Sequence, residues 1–268
     1  MPAESGSVVA AARLKRILKR TPVYAWLRDW RAQRSLAQWT PQDRRMQAFY
    51  ARFLAPGDLC FDIGANIGNR VKIFLALGAR VVAVEPQREC ARVLESAFAG
   101  RPDFALVEKA LGSAEGRAEM LISDADTISS LSPEWIAAVT ESGRFADQHW
   151  DRKRVVEVTT LDQLIARHGV PAFVKIDVEG FEAEVVRGLS QPVKALSIEY
   201  TPECMESTLA CVDHLATLGE SEHNFSLAES MELSRPDWMD RAELADYLRG
   251  LGDAPDVWGD VYVRFAAR

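Results

Sequence analysis

Asp62, Gly64, Asn66 and Gly68 stand at every second position of one short stretch, and Glu85 follows 21 residues after Gly64. The apolar run from Leu59 to Ile63 predicts a short buried strand. Gly64-Ala65-Asn66-Ile67-Gly68 then reads as a tight turn and Val71 to Leu77 as the apolar face of a helix. Glycines at 64 and 68 permit backbone angles that a side chain forbids, and let a ligand come close to the chain. Free N–H groups at the helix start carry partial positive charge into the same space, so something anionic or polar is expected there. Arg80 to Val84 reads as the next strand and ends at Glu85, where an acidic side chain can hold both hydroxyls of a nucleoside ribose.

A dinucleotide site asks for Gly-x-Gly-x-x-Gly. Here the spacing differs, and the Asp62 carboxylate is a poor neighbour for a pyrophosphate. A nucleoside that carries an amino group and a carboxylate, as S-adenosylmethionine (SAM) does at its methionine end, suits these residues better. A nicotinamide cofactor and a purely structural strand–helix turn are the alternatives. The expected cofactor-binding set is Asp62 for the amino group, the Gly64, Ala65, Asn66 and Gly68 backbone, and Glu85 with Pro86 beside it. Glu108, at the tip of the third strand, is placed near the adenine.

A second group of chemically capable residues is Lys175-Ile176-Asp177-Val178-Glu179-Gly180. Strand alternation puts Phe173, Lys175 and Asp177 on one face and Val174 and Ile176 on the other. A lysine and an aspartate at the end of a buried strand must pair or face a polar cleft. Asp177 is the first candidate for a catalytic base, Glu199 at the end of the following strand the second, and Lys175 their partner. Glu179 is expected near substrate, although a carboxylate opening a helix is favoured there by the dipole alone. A divalent cation held by Asp177, Glu179 and Glu199 is an open alternative, since hard carboxylates suit magnesium. The same spacings equally describe independent surface acids.

The stretches DIGANIGN, VVAVEPQ, VKIDVEGFEAEVVRGL and LSIEY resemble the FkbM-type family of SAM-dependent methyltransferases. The resemblance covers roughly residues 55 to 201 and a final GDVYVRF strand. It implies a seven-stranded methyltransferase fold and O-methylation of a hydroxyl on a sugar or other secondary metabolite. Family members often carry a histidine after the glutamate at 199; Tyr200 stands there instead.

These residues need elements to position them, and the chain supplies alternating strands and helices, the pattern of a mostly parallel, doubly wound α/β sheet. Strands are expected near 59–63, 80–84, 104–108, 173–177, 194–200, 223–227 and 260–265. Helices are expected near 67–77, 87–99, 161–168, 179–189, 203–218 and 236–250. Ala110 to Ile122 reads as a hairpin. Residues 123 to 154 have no sustained period, and an irregular insertion of that length is expected to cover the substrate. Ser129, Ser130 and His149 are its candidate substrate contacts.

Residues 1–54 read as a basic helical extension and 55–268 as the methyltransferase domain. Residues 1–53 hold 11 Lys and Arg against 3 Asp and Glu, a net of +8; the remainder holds 21 against 36, a net of −15. An acidic body argues against a nucleic-acid substrate and for a small-molecule or glycan acceptor. Residues 8–20 look like a short basic helix. After Pro22, Val23, Trp26, Leu27 and Trp30 form one apolar stripe, with Arg28, Arg31 and Arg34 off it. That pattern fits packing on the domain or on a second subunit in a homodimer. It also fits peripheral contact of residues 8–34 with an anionic membrane. Helix 42–54 is expected to cover part of the cofactor pocket. Four cysteines without metal spacing, no apolar run long enough to span a bilayer and no secretory signal point to a cytoplasmic protein.

Overall fold

The computed structural model describes residues 22–123, 128–145, 148–252 and 257–266. The helix expected over 8–20 lies outside them. The chain divides into two compact units, Met1–Trp39 and Thr40–Arg268. In the first, helix α1 (Pro22–Ala37) leaves Val23, Trp26 and Trp30 exposed, while Ala32 and Leu36 on its opposite side are buried. Arg34 does not lie off the stripe as expected. It sits one turn beyond Trp30, with its guanidinium 5.4 Å from the ring centroid.

The second unit begins with α2 (Pro41–Tyr50), started by a capping box in which Thr40 and Asp43 satisfy each other's backbone N–H groups. The Phe49, Tyr50 and Phe53 rings then pack on Phe74, Phe173 and Tyr262, with centroids 4.9–5.3 Å apart in the closest pairs. Residues 41–54 therefore belong to the catalytic body and seal one face of its sheet.

That sheet has seven strands: β1 (Leu59–Ile63), β2 (Arg80–Val84), β3 (Phe104–Val107), then, beyond an insertion, β7 (Phe173–Ile176), β8 (Ala195–Tyr200), β9 (Ser221–Leu227) and β10 (Gly259–Phe265). Their order is β3-β2-β1-β7-β8-β10-β9, and only β10 runs against its neighbours. The connecting helices are α3 (Asn69–Ala76), α4 (Arg88–Phe98), α6 (Leu161–His168), α7 (Glu182–Arg187), α8 (Met205–Leu218) and α9 (Arg241–Leu251). Phe61, Ile63, Val174, Ile176, Leu196 and Ile198 project to one side and join Leu164, Val185, Val212 and Leu248 in a single buried core. Alternation turns Asp62, Phe173 and Lys175 to the other side.

Two expectations fail in the insertion. Its first part is not a hairpin: β4 (Ala110–Leu111) runs parallel to β6 (Arg152–Thr159), and β5 (Gly116–Ile122) lies antiparallel on β6's other edge. Strand β6 was not foreseen because Arg152, Lys153 and Arg154 hide its buried alternate positions, Val156 and Val158. Its second part holds α5 (Pro133–Glu141), capped by the Ser132 hydroxyl accepting from the Trp135 N–H. Trp135, Val139 and Ile128 form a small core of their own. The face of Trp135 lies against Gly180, where a Cβ would come within 2.2 Å of the indole.

The four cysteines are free. No helix among the described residues is long and apolar enough to cross a membrane.

Candidate functional site

The chain runs from β1 to β2 and β3 on one side and returns to β7 and β8 on the other. The order reverses between β1 and β7, where an open parallel sheet leaves a crevice beyond its strand ends. A cavity of about 420 Å³ lies there. Asp62, Gly64, Ala65, Asn66, Glu85, Pro86, Ser129, Lys175, Asp177, Glu179 and Glu199 all line it, so the candidates from four strand tips meet in one hollow. The insertion supplies a wall through Lys109, Leu111, Met120 and Ile128.

The glycine turn achieves this differently from expectation. Gly64 adopts φ +81°, and a Cβ there would lie 1.8 Å from the Asp177 carbonyl oxygen. Its bare Cα lets the loops after β1 and β7 touch; it does not make room for a ligand. Gly68 (φ +98°) does not line the cavity and packs under Leu94 and Phe98. Nor are the turn's N–H groups free. Gly64 and Ala65 both donate to Val84 O, Asn66 donates to Glu85 Oε2 at 2.9 Å, and Ile67 donates to Asn66 Oδ1. The turn is therefore no anion cradle. What it leaves open is carboxylate.

Glu85 accepts from Asn66 N–H on one oxygen and from Gln87 N–H at 2.7 Å on the other. The Gln87 side chain bonds it as well, and the carboxylate's remaining lone-pair capacity is open to a ligand hydroxyl. Asp62 is 2% exposed, and its Oδ2 finds no hydrogen-bond partner among the described residues. A buried, unpaired carboxylate oxygen is costly until a donor arrives. Burial raises Asp62 to about 7, with Lys175 and Arg70 pulling it back down, and burial likewise raises Glu85 to about 7.

Beyond β7, Lys175 Nζ sits between Asp177 Oδ2 at 3.1 Å and Asp260 Oδ1 at 3.0 Å. Burial would lower its pKa, but the two aspartates hold it well above the ordinary lysine value. Asp177 keeps 37% of its side chain exposed toward the cavity, unlike Asp260 at 9%. Asp177, Glu179 and Glu199 bring carboxylate oxygens within 4.8 Å of one another, close enough to surround a cation. Burial and then the Asp177 charge push both Glu179 and Glu199 well above the usual carboxylate range.

Glu179 is held in a left-handed conformation, φ +56°, a region that non-glycine residues seldom enter. Two groups fix it there. Ser130 Oγ donates to the Glu179 carbonyl at 2.6 Å, and Glu182 Oε1 accepts from the Val178 and Gly180 N–H groups. Ser130 thus supports the loop without lining the cavity. Ser129 does line it, donating to Gln87 Oε1 at 3.0 Å.

Two more candidates, besides Gly68 and Ser130, fall outside the cavity. Glu108 is exposed and faces a separate surface cleft beside Arg88, Arg92 and Arg154, because the chain turns at the end of β3 and carries Lys109 to the cavity instead. His149 is exposed and does not line the cavity; its neighbour Trp150 is the residue turned inward, donating to Ile128 O at 2.8 Å. Helix α2 contributes no lining residue either, and reaches the site through Met46, which touches the lining residue Arg70, and Gln42, which donates to the carbonyl of the lining residue Glu229.

Several participants were not anticipated. Asp260 could have been found, since the alternation of β10 puts it on the same face as Tyr262 and opposite Glu199 in register. Gln87, Arg70, Phe181, Glu229 and Trp258 also line the cavity, and no local pattern marks them.

The methyltransferase FkbM domain matches residues 62–227. Ribosomal RNA small subunit methyltransferase A of Anaeromyxobacter dehalogenans (strain 2CP-C) is 40% identical over 75 residues, which is 27% of this chain and 26% of that protein. The chain thus matches about a quarter of that relative's length. Among solved structures, precorrin-6y C5,15-methyltransferase from Geobacter metallireducens GS-15 aligns at 10% identity and TM-score 0.44, over 86% of this chain and 91% of that one. Cofactor-bound Rv0187 from MTB aligns at 12% identity and TM-score 0.40, over 95% and 97%. The domain match takes in Asp62, Glu85, Asp177, Glu179 and Glu199, and the chain belongs to the FkbM methyltransferase family.

Proposed function

We propose that this methyltransferase carries the methyl group of SAM to a hydroxyl of a saccharide, glycolipid or secondary metabolite, with Asp177 as the base. One observation carries the reading: Asp177, backed by Lys175, opens onto the same hollow as Asp62 and Glu85. The residues present suit the cofactor. Asp62 Oδ2 lacks a donor and would take the ammonium of the methionine end, and the spare lone pairs of Glu85 would take the ribose hydroxyls. When bound, SAM supplies an electrophilic methyl on a sulfonium, and an acid-lined wall favours that positive charge.

The protein's share is alignment and proton removal. In-line placement of an acceptor oxygen can contribute on the order of 7–11 kcal/mol. As that oxygen attacks, its proton passes to Asp177 Oδ. Burial and the neighbouring Asp177 charge favour the protonated forms of Glu179 and Glu199, which in that form donate hydrogen bonds near the acceptor, while Asp177 is paired with Lys175. The test is incubation of the protein with isotopically labelled SAM and matched acceptors that differ only in carrying a hydroxyl or an amine. Label in a methyl ether supports the reading. Label only in a methylamine, or in neither product, overturns it.

Binding should also depend on pH. In the free protein Asp62 and Glu85 are each raised to about 7, and a cationic ligand with donating hydroxyls favours their ionised forms. Affinity for SAM is thus low below pH 7, where both carboxyls hold protons, and rises as they are lost. Between pH 6 and 7.5 the association constant should increase on the order of tenfold to a hundredfold, with proton release at the acid end. Calorimetry in buffers of different ionisation enthalpy measures that release, and Asp62→Asn should remove part of it. An affinity flat across this interval would exclude both carboxylates as ligand contacts.

A further inference from the structure

We infer that helix α1 docks the enzyme on an anionic membrane surface, with Val23, Trp26 and Trp30 entering the boundary between headgroups and acyl chains. The stripe faces solvent: these residues are 67%, 65% and 44% exposed, whereas the helix buries its other side at Ala32 and Leu36. Three large apolar side chains on successive turns of one exposed face form a patch that a soluble surface rarely leaves uncovered. Indole is the side chain best suited to that boundary, having a large apolar body and one N–H donor for the polar region.

Charge identifies the occupant. Arg31 is exposed at the edge of the stripe, and Arg34, also exposed, continues it, with its guanidinium 5.4 Å from the Trp30 ring centroid. They belong to the compact unit of residues 1–39, which holds 8 basic and 2 acidic side chains, while residues 40–268 hold 24 basic against 37 acidic, a net of −13. A phosphatidylglycerol or phosphatidylserine surface complements the first and repels the second. Two copies of the same basic helix would instead repel when packed stripe to stripe. The helix has 16 residues and an amphipathic face, so it lies in the interface and does not span it.

The test uses the full chain and sedimentation with vesicles of phosphatidylglycerol and phosphatidylcholine, set against phosphatidylcholine alone. The protein should pellet with the anionic vesicles and far less with the neutral ones, and molar salt should release it. Trp26→Ala with Trp30→Ala should weaken partitioning by about tenfold for each indole removed. Arg31→Gln with Arg34→Gln should weaken it about fivefold for each charge. SAM affinity, measured on the same preparations, should not change, which separates loss of docking from loss of fold. Equal pelleting of wild type and the double tryptophan variant overturns the inference. So does binding that ignores lipid charge, or a wild-type dimer that becomes monomeric on losing the two indoles without any vesicle binding.

Discussion

Replacing Glu85 by alanine should weaken SAM binding by about 10²–10⁴-fold, because hydrogen bonds to a charged group contribute about 1.5–3 kcal/mol each and two are lost. The side chain is 3% exposed, and its two oxygens already accept from the Asn66 and Gln87 backbones. Alanine therefore removes the ribose acceptors and also frees two buried N–H groups, which loosens the glycine turn. Glu85→Gln separates the two effects: its remaining carbonyl still serves one N–H, so the turn holds better while one ribose contact goes, and the loss should shrink to about tenfold. A cofactor analogue lacking the ribose hydroxyls sharpens the assignment. Wild type should bind it far more weakly than SAM, whereas Glu85→Ala should scarcely distinguish the two, the mark of a direct contact in a double-mutant cycle. Unchanged calorimetric affinity in Glu85→Ala, or equal discrimination in both proteins, would remove Glu85 from the ribose.

The architecture was legible in the sequence wherever periodicity was strong. All seven strands of the main sheet were placed within about two residues, because buried parallel strands are short apolar runs bounded by turns. The resemblance of four motifs to one family supplied the rest, and the domain match bears out that identification. The insertion was read less well. Three consecutive basic residues open β6, and its core, Ala110, Met120, Ile122, Val156 and Val158, is assembled from strands more than 30 residues apart. No local window contains that core.

At the site, strand tips could be found because alternation and the direction of a parallel sheet fix where they point. Asp62, Glu85, Asp177 and Glu199 were found in this way. Loop geometry could not be: the chain turns tightly at Glu108, and His149 stands exposed in a stretch without regular structure. The glycines show the limit most plainly. Gly64 and Gly68 mark the correct loop, but what their missing side chains admit is the Asp177 backbone and the Leu94 and Phe98 side chains. A positive φ announces itself in sequence; the neighbour that requires it does not.

If Asp177 takes the acceptor's proton, Asp177→Asn should lower kcat by about 10²–10⁴-fold, the range a positioned base supplies, while SAM affinity changes little. Asparagine keeps the shape and can still accept from Lys175, and Lys175 retains Asp260 at 3.0 Å, so the buried ammonium is not stranded. A purely structural Asp177 would show a different pattern: loosening of the Gly64 contact against its carbonyl would raise the KM for SAM along with any loss in kcat. Acceptor acidity provides a second discriminator. A more acidic hydroxyl needs less help from a base, so the deficit of Asp177→Asn should narrow along a series of acceptors with falling hydroxyl pKa. Glu199→Gln should be far milder, since burial already favours the uncharged acid at this position, and a glutamine amide is uncharged and donates from the same place. Full turnover in Asp177→Asn, or a deficit indifferent to acceptor pKa, would place the base elsewhere. If Glu199→Gln then proved the more damaging change, the roles of the two strand tips would have to be exchanged.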